Sequence, residues 1–533
     1  MLLEKYLNIL SKSSPYAVST LRKSDDDDDY VLRIKKYLYI QSDIEHDFSN
    51  ALACSKNSEI FYLCGSSGDG KSEILTRCYR KYNQEIIFHL DATHSYSQHS
   101  SAVDCLNNLF SKYKCEQFKL AIGINIGMMQ KFIRFGSSEH EDIKENMRSF
   151  FYNRHVKGYV NEKSHFYDFE CYPRIVLDNR KIKSSFVSEF ITRLTAQKLD
   201  NPFWSAYIEN KKNNEQLYKN YKFLSIPNVQ KKLVELFCLI RLYEEQFLIP
   251  RTFADFIFNI LTLDNKKTLA DNVFTLFDNE LSKKMINFDP AKKRNEFLDN
   301  FVVEYYIGML DNNLKSDIED LRNNFGCGDG VSTIIRQAFL LHGNDKYKFL
   351  QKSVSEGYAN NVLDIYLRLH DITFKIDINS NDEDWYDEFV EDIVAKSLFM
   401  FANRNAISLG NEYLSMRDMG DGVYVGVKTS ITANYDLLEK NKMHSIDFIP
   451  IYLNVNDTPL AEFKLDIKLL DFMINIIDGY KPNMQNKGIV IKLEELLNSI
   501  LYASSEAKDL MIVTKEKTEI VSEKSRKYIV EEI

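Results

Sequence analysis

Gly65-Ser66-Ser67-Gly68-Asp69-Gly70-Lys71-Ser72 satisfies the phosphate-loop pattern GxxxxGK[ST], and its surroundings dictate a strand, a glycine turn and a helix in that order. The run Ile60-Phe61-Tyr62-Leu63-Cys64 before it is apolar, and Ile74, Leu75, Cys78 and Tyr79 after it recur at helical spacing. Glycines let the backbone curl closely around an anion, so that amide N–H groups and the positive end of the following helix point at it. Residues Gly65, Ser66, Ser67, Gly68, Asp69 and Gly70 are therefore expected to cradle the phosphates of ATP. Lys71 is expected to reach the β- and γ-phosphates, and Ser72 to place its hydroxyl on Mg²⁺.

At 533 residues the chain is too long for one ordinary core, so several are expected. An apolar fraction of 44% with 27% charged residues is that of a soluble globular protein. No apolar run approaches the roughly 20 residues that cross a bilayer. Met1-Leu2-Leu3 is followed at once by Glu4 and Lys5, unlike a signal peptide, which predicts a cytoplasmic protein without membrane association. The eight cysteines are scattered, with no CxxC pair and no zinc-finger spacing, and read as buried small apolar residues. A net charge of −9 argues against a surface that is a nucleic-acid footprint throughout. Lys211, Lys212, Lys219 and Lys222, with Tyr218 and Tyr221 interleaved, form a local basic stretch for which a solvated helical face is the favoured reading.

Along the chain, residues 1–59 read as a helical and extended N-terminal segment. In it Leu3, Leu7 and Leu10 share a face, Ser13 to Val18 is extended, Asp25 to Asp29 repel one another into a solvated loop, and Ile44 to Ala53 is helical. Residues 60–200 read as the nucleotide domain. Strands are expected at Glu85–Asp91, Leu120–Gly127, His165–Phe169 and Arg174–Asp178, and a helix around Val103, Leu106, Leu109 and Phe110. Alternation of strand and helix predicts an α/β fold with a doubly wound parallel sheet, whose ligands bind at the carboxyl ends of the strands. Residues 201–408 read as a helical lid or bundle, with long helices at Val229–Leu248 and Phe253–Leu263; Asn324 to Gly330 is a turn. Residues 409–533 read as a separate α+β unit, with strands at Gly422–Val427, Phe448–Asn454 and Glu462–Lys464, helices at Leu465–Ile477 and Leu493–Leu501, and a hairpin or meander over Asp509–Val530.

A phosphate-loop enzyme needs an acidic residue at the end of a neighbouring strand to hold the Mg²⁺ shell, and a polar group that orients the attacking water. Asp91 is the first candidate for the acid, with Asp168 and Asp178 as alternatives. Asn125 is the candidate amide, and it resembles the sensor-1 position of AAA+ ATPases. Satisfying loop backbone is the competing role for its side chain. Arg251, after Pro250 at the start of a helix, is similar to the lid arginine of those proteins, where a guanidinium suits phosphate oxygens.

Taken together, Ser13-Ser14-Pro15-Tyr16-Ala17-Val18, Cys64 to Ser72, Asp91-Ala92-Thr93 and Asn125-Ile126-Gly127 resemble the DptF family of DNA phosphorothioation-dependent restriction proteins over about the first 180 residues. His94 departs from the family by standing where an acidic residue is expected. The resemblance implies an ATPase of a prokaryotic antiviral defence system, working with DptG-like and DptH-like restriction subunits on DNA that lacks the phosphorothioate mark. A nucleotide-regulated interaction switch with little turnover is the alternative. A small-molecule kinase is disfavoured, because more than half of the chain lies outside the nucleotide domain. No nuclease constellation is present in the sequence.

Overall fold

The structure, a computed structural model, describes residues 2–14, 29–55, 58–92, 101–209, 215–245, 248–264, 266–294, 296–326, 328, 330–354, 361–374, 379–438, 446–483, 486–505, 509–524 and 527–532. The chain folds into two compact units. The first holds residues 1–175, 184–240 and 247–358, and the second holds 176–183, 241–246 and 359–533. The helical stretch read as one region is thus shared, its last helices packing with the C-terminal strands.

In the first unit, helices α1 (Leu2–Leu7), α2 (Asp29–Leu38) and α3 (Asp43–Cys54) precede β1 (Ile60–Cys64), α4 (Lys71–Tyr82), β2 (Ile86–His89), α5 (Ala102–Glu116), β3 (Lys119–Ile124), α6 (Ile126–Phe135), α7 (Glu141–Tyr152), β4 (Tyr159–Asn161) and β5 (Ser164–Asp168). The strands form one sheet in the order β2-β3-β1-β5-β4. All neighbours are parallel except β4, which runs antiparallel to β5 at the edge. This is a mixed α/β unit built on a mostly parallel sheet.

Both faces of that sheet are covered, which is why its strands read as continuous apolar runs rather than as alternating ones. Ile60, Tyr62, Cys64, Leu120, Ile122, Ile124 and Phe166 face one way, into a core completed by α5, α6 and α7. Phe61, Leu63, Ala121 and Tyr167 face the other way, against Phe48 and Leu52 of α3 and Ile74, Leu75 and Cys78 of α4. Burial of an aromatic side chain such as Phe61, fully enclosed, contributes roughly 1.5–3 kcal/mol. Helix α5 starts at a capping box in which Ser101 and Asp104 satisfy each other's backbone N–H groups.

Several sequence expectations need correction. The strand expected over Leu120–Gly127 stops at Ile124, because Asn125 caps α6 and places Gly127 inside that helix. The strand expected over Arg174–Asp178 is instead β6 (Val176–Asp178), paired only with β7 (Lys181–Lys183) in a two-stranded hairpin that belongs to the second unit. The aspartate run does not end as loop, since Asp29 opens α2; residues 25–28 lie outside the described residues, as do Pro15 to Val18, Thr93 and His94. Of the seven cysteines described, only Cys64, Cys78 and Cys238 are buried, while Cys54 and Cys115 are exposed.

The first unit continues through α8 (Ser185–Thr195), α9 (Pro202–Glu209), α10 (Glu215–Leu224), α11 (Pro227–Glu244, whose residues from Arg241 onward belong to the second unit) and α12 (Pro250–Thr262), with further helices up to Lys348–Val354. Tyr218 and Tyr221 of α10 are buried, so the basic stretch has no aromatic face to offer. Lys219 pairs with Glu215, and Lys211 and Lys212 lie outside the described residues. The turn expected over Asn324–Gly330 starts later, since Asn324 and Phe325 end one helix; Gly326, Gly328 and Gly330 have positive φ ahead of the next helix at Val331, and residues 327 and 329 lie outside the described residues.

The second unit carries a five-stranded antiparallel sheet made from Tyr413–Asp418, Tyr424–Lys428, Asp509–Val513, Thr518–Lys524 and Lys527–Glu532. The expected strand over Phe448–Asn454 is two strands, Ile449–Ile451 and Leu453–Val455, which join different small sheets. No described helix is long and apolar enough to cross a membrane.

Candidate functional site

Parallel strands bring their carboxyl ends to one edge, and here β1, β2, β3 and β5 deliver the glycine loop, Asp91, Asn125 and Asp168 to it. The register aligns Cys64 with Ile124 and with Asp168, and His89 with Ile122. Pairing continues past the strands, because Gly65 N–H donates to Ile124 O (3.3 Å) and Ala92 N–H to Gly123 O (2.9 Å). The sequence candidates Lys71, Asp91 and Asn125 are thereby held along one short stretch of sheet edge.

The loop turns into α4 at Gly70, whose φ of +103° is open to glycine and strained for other residues. Gly68, at φ +90°, is also crowded: a Cβ there would lie 2.8 Å from Ile249 Cγ2, just ahead of α12. Asp69 braces the loop by accepting a hydrogen bond from Ser66 N–H. Burial raises the Asp69 carboxyl above the ordinary carboxylate range, against that hydrogen bond and the charges of Arg174 and Lys71.

Lys71 is 8% exposed, and its ammonium folds back on the loop, donating to Gly65 O (2.8 Å) and Ser66 O (2.6 Å). Burial pushes its pKa down, and the nearby Asp69 and Asp91 carboxylates oppose that shift. A buried lysine at a helix N-terminus, beside the exposed loop residues Ser66 and Ser67, is an arrangement that binds anions. Ser72 occupies the second position of α4, where its backbone carbonyl accepts from Thr76 Oγ1. Behind the loop, burial raises the Cys64 thiol well above its ordinary value and Asp168 adds to this, so Cys64 is a packing residue and not a nucleophile.

The three candidate acids have different surroundings. Asp91 is half-buried and acts on Lys71. Asp168 is buried in an ion pair with Arg154 Nε (2.6 Å), and it also accepts from Glu170 N–H. Asp178 is exposed on the β6–β7 hairpin of the second unit, paired with Lys183. Asn125 does cap its helix, accepting Met128 N–H at Oδ1 (2.6 Å). The cap uses the carbonyl oxygen only, so the amide N–H groups keep their donor capacity. Arg251 follows Ile249 at the start of α12, and its Nε is buried with no hydrogen-bond partner among the described residues.

Sequence reasoning missed Arg174. Its Nη2 donates to Asp69 O (2.8 Å) and its Nε to Leu248 O (3.3 Å), and its guanidinium lies over the Phe169 and Phe186 rings. An arginine following Tyr172 and Pro173 was the available signal, hidden by the assignment of that segment to a strand.

Among the described residues no group of three or more His, Cys, Asp or Glu could hold a metal by itself. Ser72 and Asp91 are two oxygen donors, a set that suits Mg²⁺ shared with phosphate and water rather than a cage made wholly of protein. Comparison with protein-family models, curated proteins and solved structures finds no match to the chain.

Proposed function

We propose that the chain binds ATP with Mg²⁺ at residues 65–72 and hydrolyses it, as an AAA+-like P-loop protein. The observation that carries this reading is the Lys71 ammonium folded over carbonyls of its own glycine loop at the N-terminus of α4, with Asp91 and Asn125 on the same sheet edge. The loop amides and Lys71 bind the phosphates, the ammonium exchanging its two carbonyl partners for phosphate oxygens. Mg²⁺, when bound, neutralises charge that develops on the phosphates. Ser72 and Asp91 hold its shell, and the free N–H groups of Asn125 orient the water that attacks the γ-phosphorus. The helices from α12 onward act as a lid, from which Arg251 reaches the phosphates.

The biological setting follows from the resemblance to the DptF family. In this reading the chain is the ATPase of a cytoplasmic, prokaryotic antiviral restriction complex with DptG-like and DptH-like subunits, acting on DNA without phosphorothioate. The test is ATP binding and steady-state hydrolysis by the wild type, Lys71→Ala and Asp91→Asn, with unmodified or phosphorothioated DNA and the partner subunits. Lys71→Ala is expected to weaken ATP binding by about tenfold or more, and Asp91→Asn to bind ATP while losing about a hundredfold in turnover. Turnover is expected to rise with unmodified DNA and partners. Absence of ATP binding at millimolar concentration overturns the nucleotide reading; tight binding without turnover under any condition supports a nucleotide-regulated switch instead.

A further inference from the structure

We infer that Arg174 is a positioning residue that couples occupancy of the glycine loop to the second unit, an inference that rests on the nucleotide reading of that loop. Three facts converge on its guanidinium. It holds the loop through Asp69 O and the chain ahead of α12 through Leu248 O, at 2.8 and 3.3 Å. It is held in turn over Phe169, which follows β5, and Phe186, at the start of α8, with ring centroids 5.6 and 5.3 Å from its central carbon. Finally, Arg174 itself and its partner Leu248 adjoin passages into the second unit: Val176 begins one excursion two residues after Arg174, and residues 241–246 end another two residues before Leu248.

Each excursion is anchored within the second unit by an arginine of its own. Arg180, on the turn between β6 and β7, donates to Asp371 (3.2 Å) and to Asp382 (3.0 Å). Arg241 pairs with Asp447 at 2.7 Å. A guanidinium is planar, with its donors fixed relative to one another, so Asp69 O cannot shift without moving Leu248 O or breaking a bond. Phosphate binding draws Lys71 off Gly65 O and Ser66 O and so changes the loop that contains Asp69. Arg174 transfers that change to the two stretches of chain that run into the second unit. Lysine at position 174 keeps the charge but offers a single point donor and loses the fork and the stacking.

The experiment is hydrogen–deuterium exchange on the full chain, with and without a non-hydrolysable ATP analogue and Mg²⁺, read at peptides covering residues 176–183, 371 and 382. Analogue affinity and thermal midpoint are recorded alongside. In the wild type, binding is expected to change exchange at 176–183 by at least about twofold. Arg174→Lys is expected to keep the fold and bind the analogue, yet to lose that change. Arg180→Ala is expected to leave affinity within about twofold of the wild type and to lose the change at the 371 and 382 peptides only, so the inference stays testable if the Arg174 variant does not fold. Binding with no exchange change in the wild type, or a change that survives both substitutions, overturns this inference alone. Failure of the wild type to bind the analogue overturns the nucleotide reading, and this inference with it.

Discussion

Asn125 illustrates how one side chain serves structure and chemistry through different atoms. Its Oδ1 caps α6, a bond whose loss costs about 1 kcal/mol in typical helices, while its N–H groups are the donors assigned to the attacking water. The two roles separate by substitution. Asn125→Asp keeps an acceptor for Met128 N–H but removes the donors, so unfolding by urea is expected to match the wild type while ATP turnover falls about tenfold or more. Asn125→Ala is expected to lose both. Equal turnover in the wild type and Asn125→Asp would leave the residue as a cap only. The sequence offered capping and phosphate sensing as alternatives, because residue type and position cannot say which atom is already used.

At the scale of elements, the carboxyl edge depends on how closely β2 approaches β3. Gly123 is the point of closest approach: a Cβ there would lie 2.3 Å from Leu90 O and 2.8 Å from Leu75 Cδ1. Backbone cannot yield as a flexible side chain can, so Gly123→Ala is expected to part the strands and shift Asp91, at a cost of about 1–3 kcal/mol. Urea unfolding midpoints measure the loss of stability, and turnover relative to ATP affinity measures the displacement of Asp91. Strands β1, β3 and β5 and helices α4 and α5 were legible from apolar runs and helical spacing, because each buries a stripe or a face that its own sequence records. The hairpin β6–β7 was not legible. Arg174 to Asp178 has the composition of a core strand, and only its pairing with Lys181–Lys183 removes it from the sheet.

For the molecule as a whole, buried imidazoles set the response to acid. Burial lowers the pKa of His140, with Lys114 adding to the shift, and its Nε2 bonds Asn107 O while Nδ1 is buried without a partner among the described residues. Burial also lowers His89 and the partly buried His165 below the ordinary 6.5. In each case the unfolded chain binds the proton more readily. Stability from these groups is therefore fully present above pH 6.5 and is lost as pH falls below it. Denaturant unfolding from pH 8 to pH 5 is expected to trace that decline, with a shallower slope in His140→Phe, whose ring would pack against Phe110 and Phe132 without titrating. The same division between local record and packing runs through the protein. Residues 60–82 by themselves determined a strand, a glycine loop and a helix with a lysine at its start, since pattern, periodicity and chain geometry are local. Tertiary structure alone decided which strands became neighbours and that Arg174 would reach Asp69 across the fold. It also decided that the helical stretch would be shared between two units, because pairing and burial depend on residues far apart in the chain.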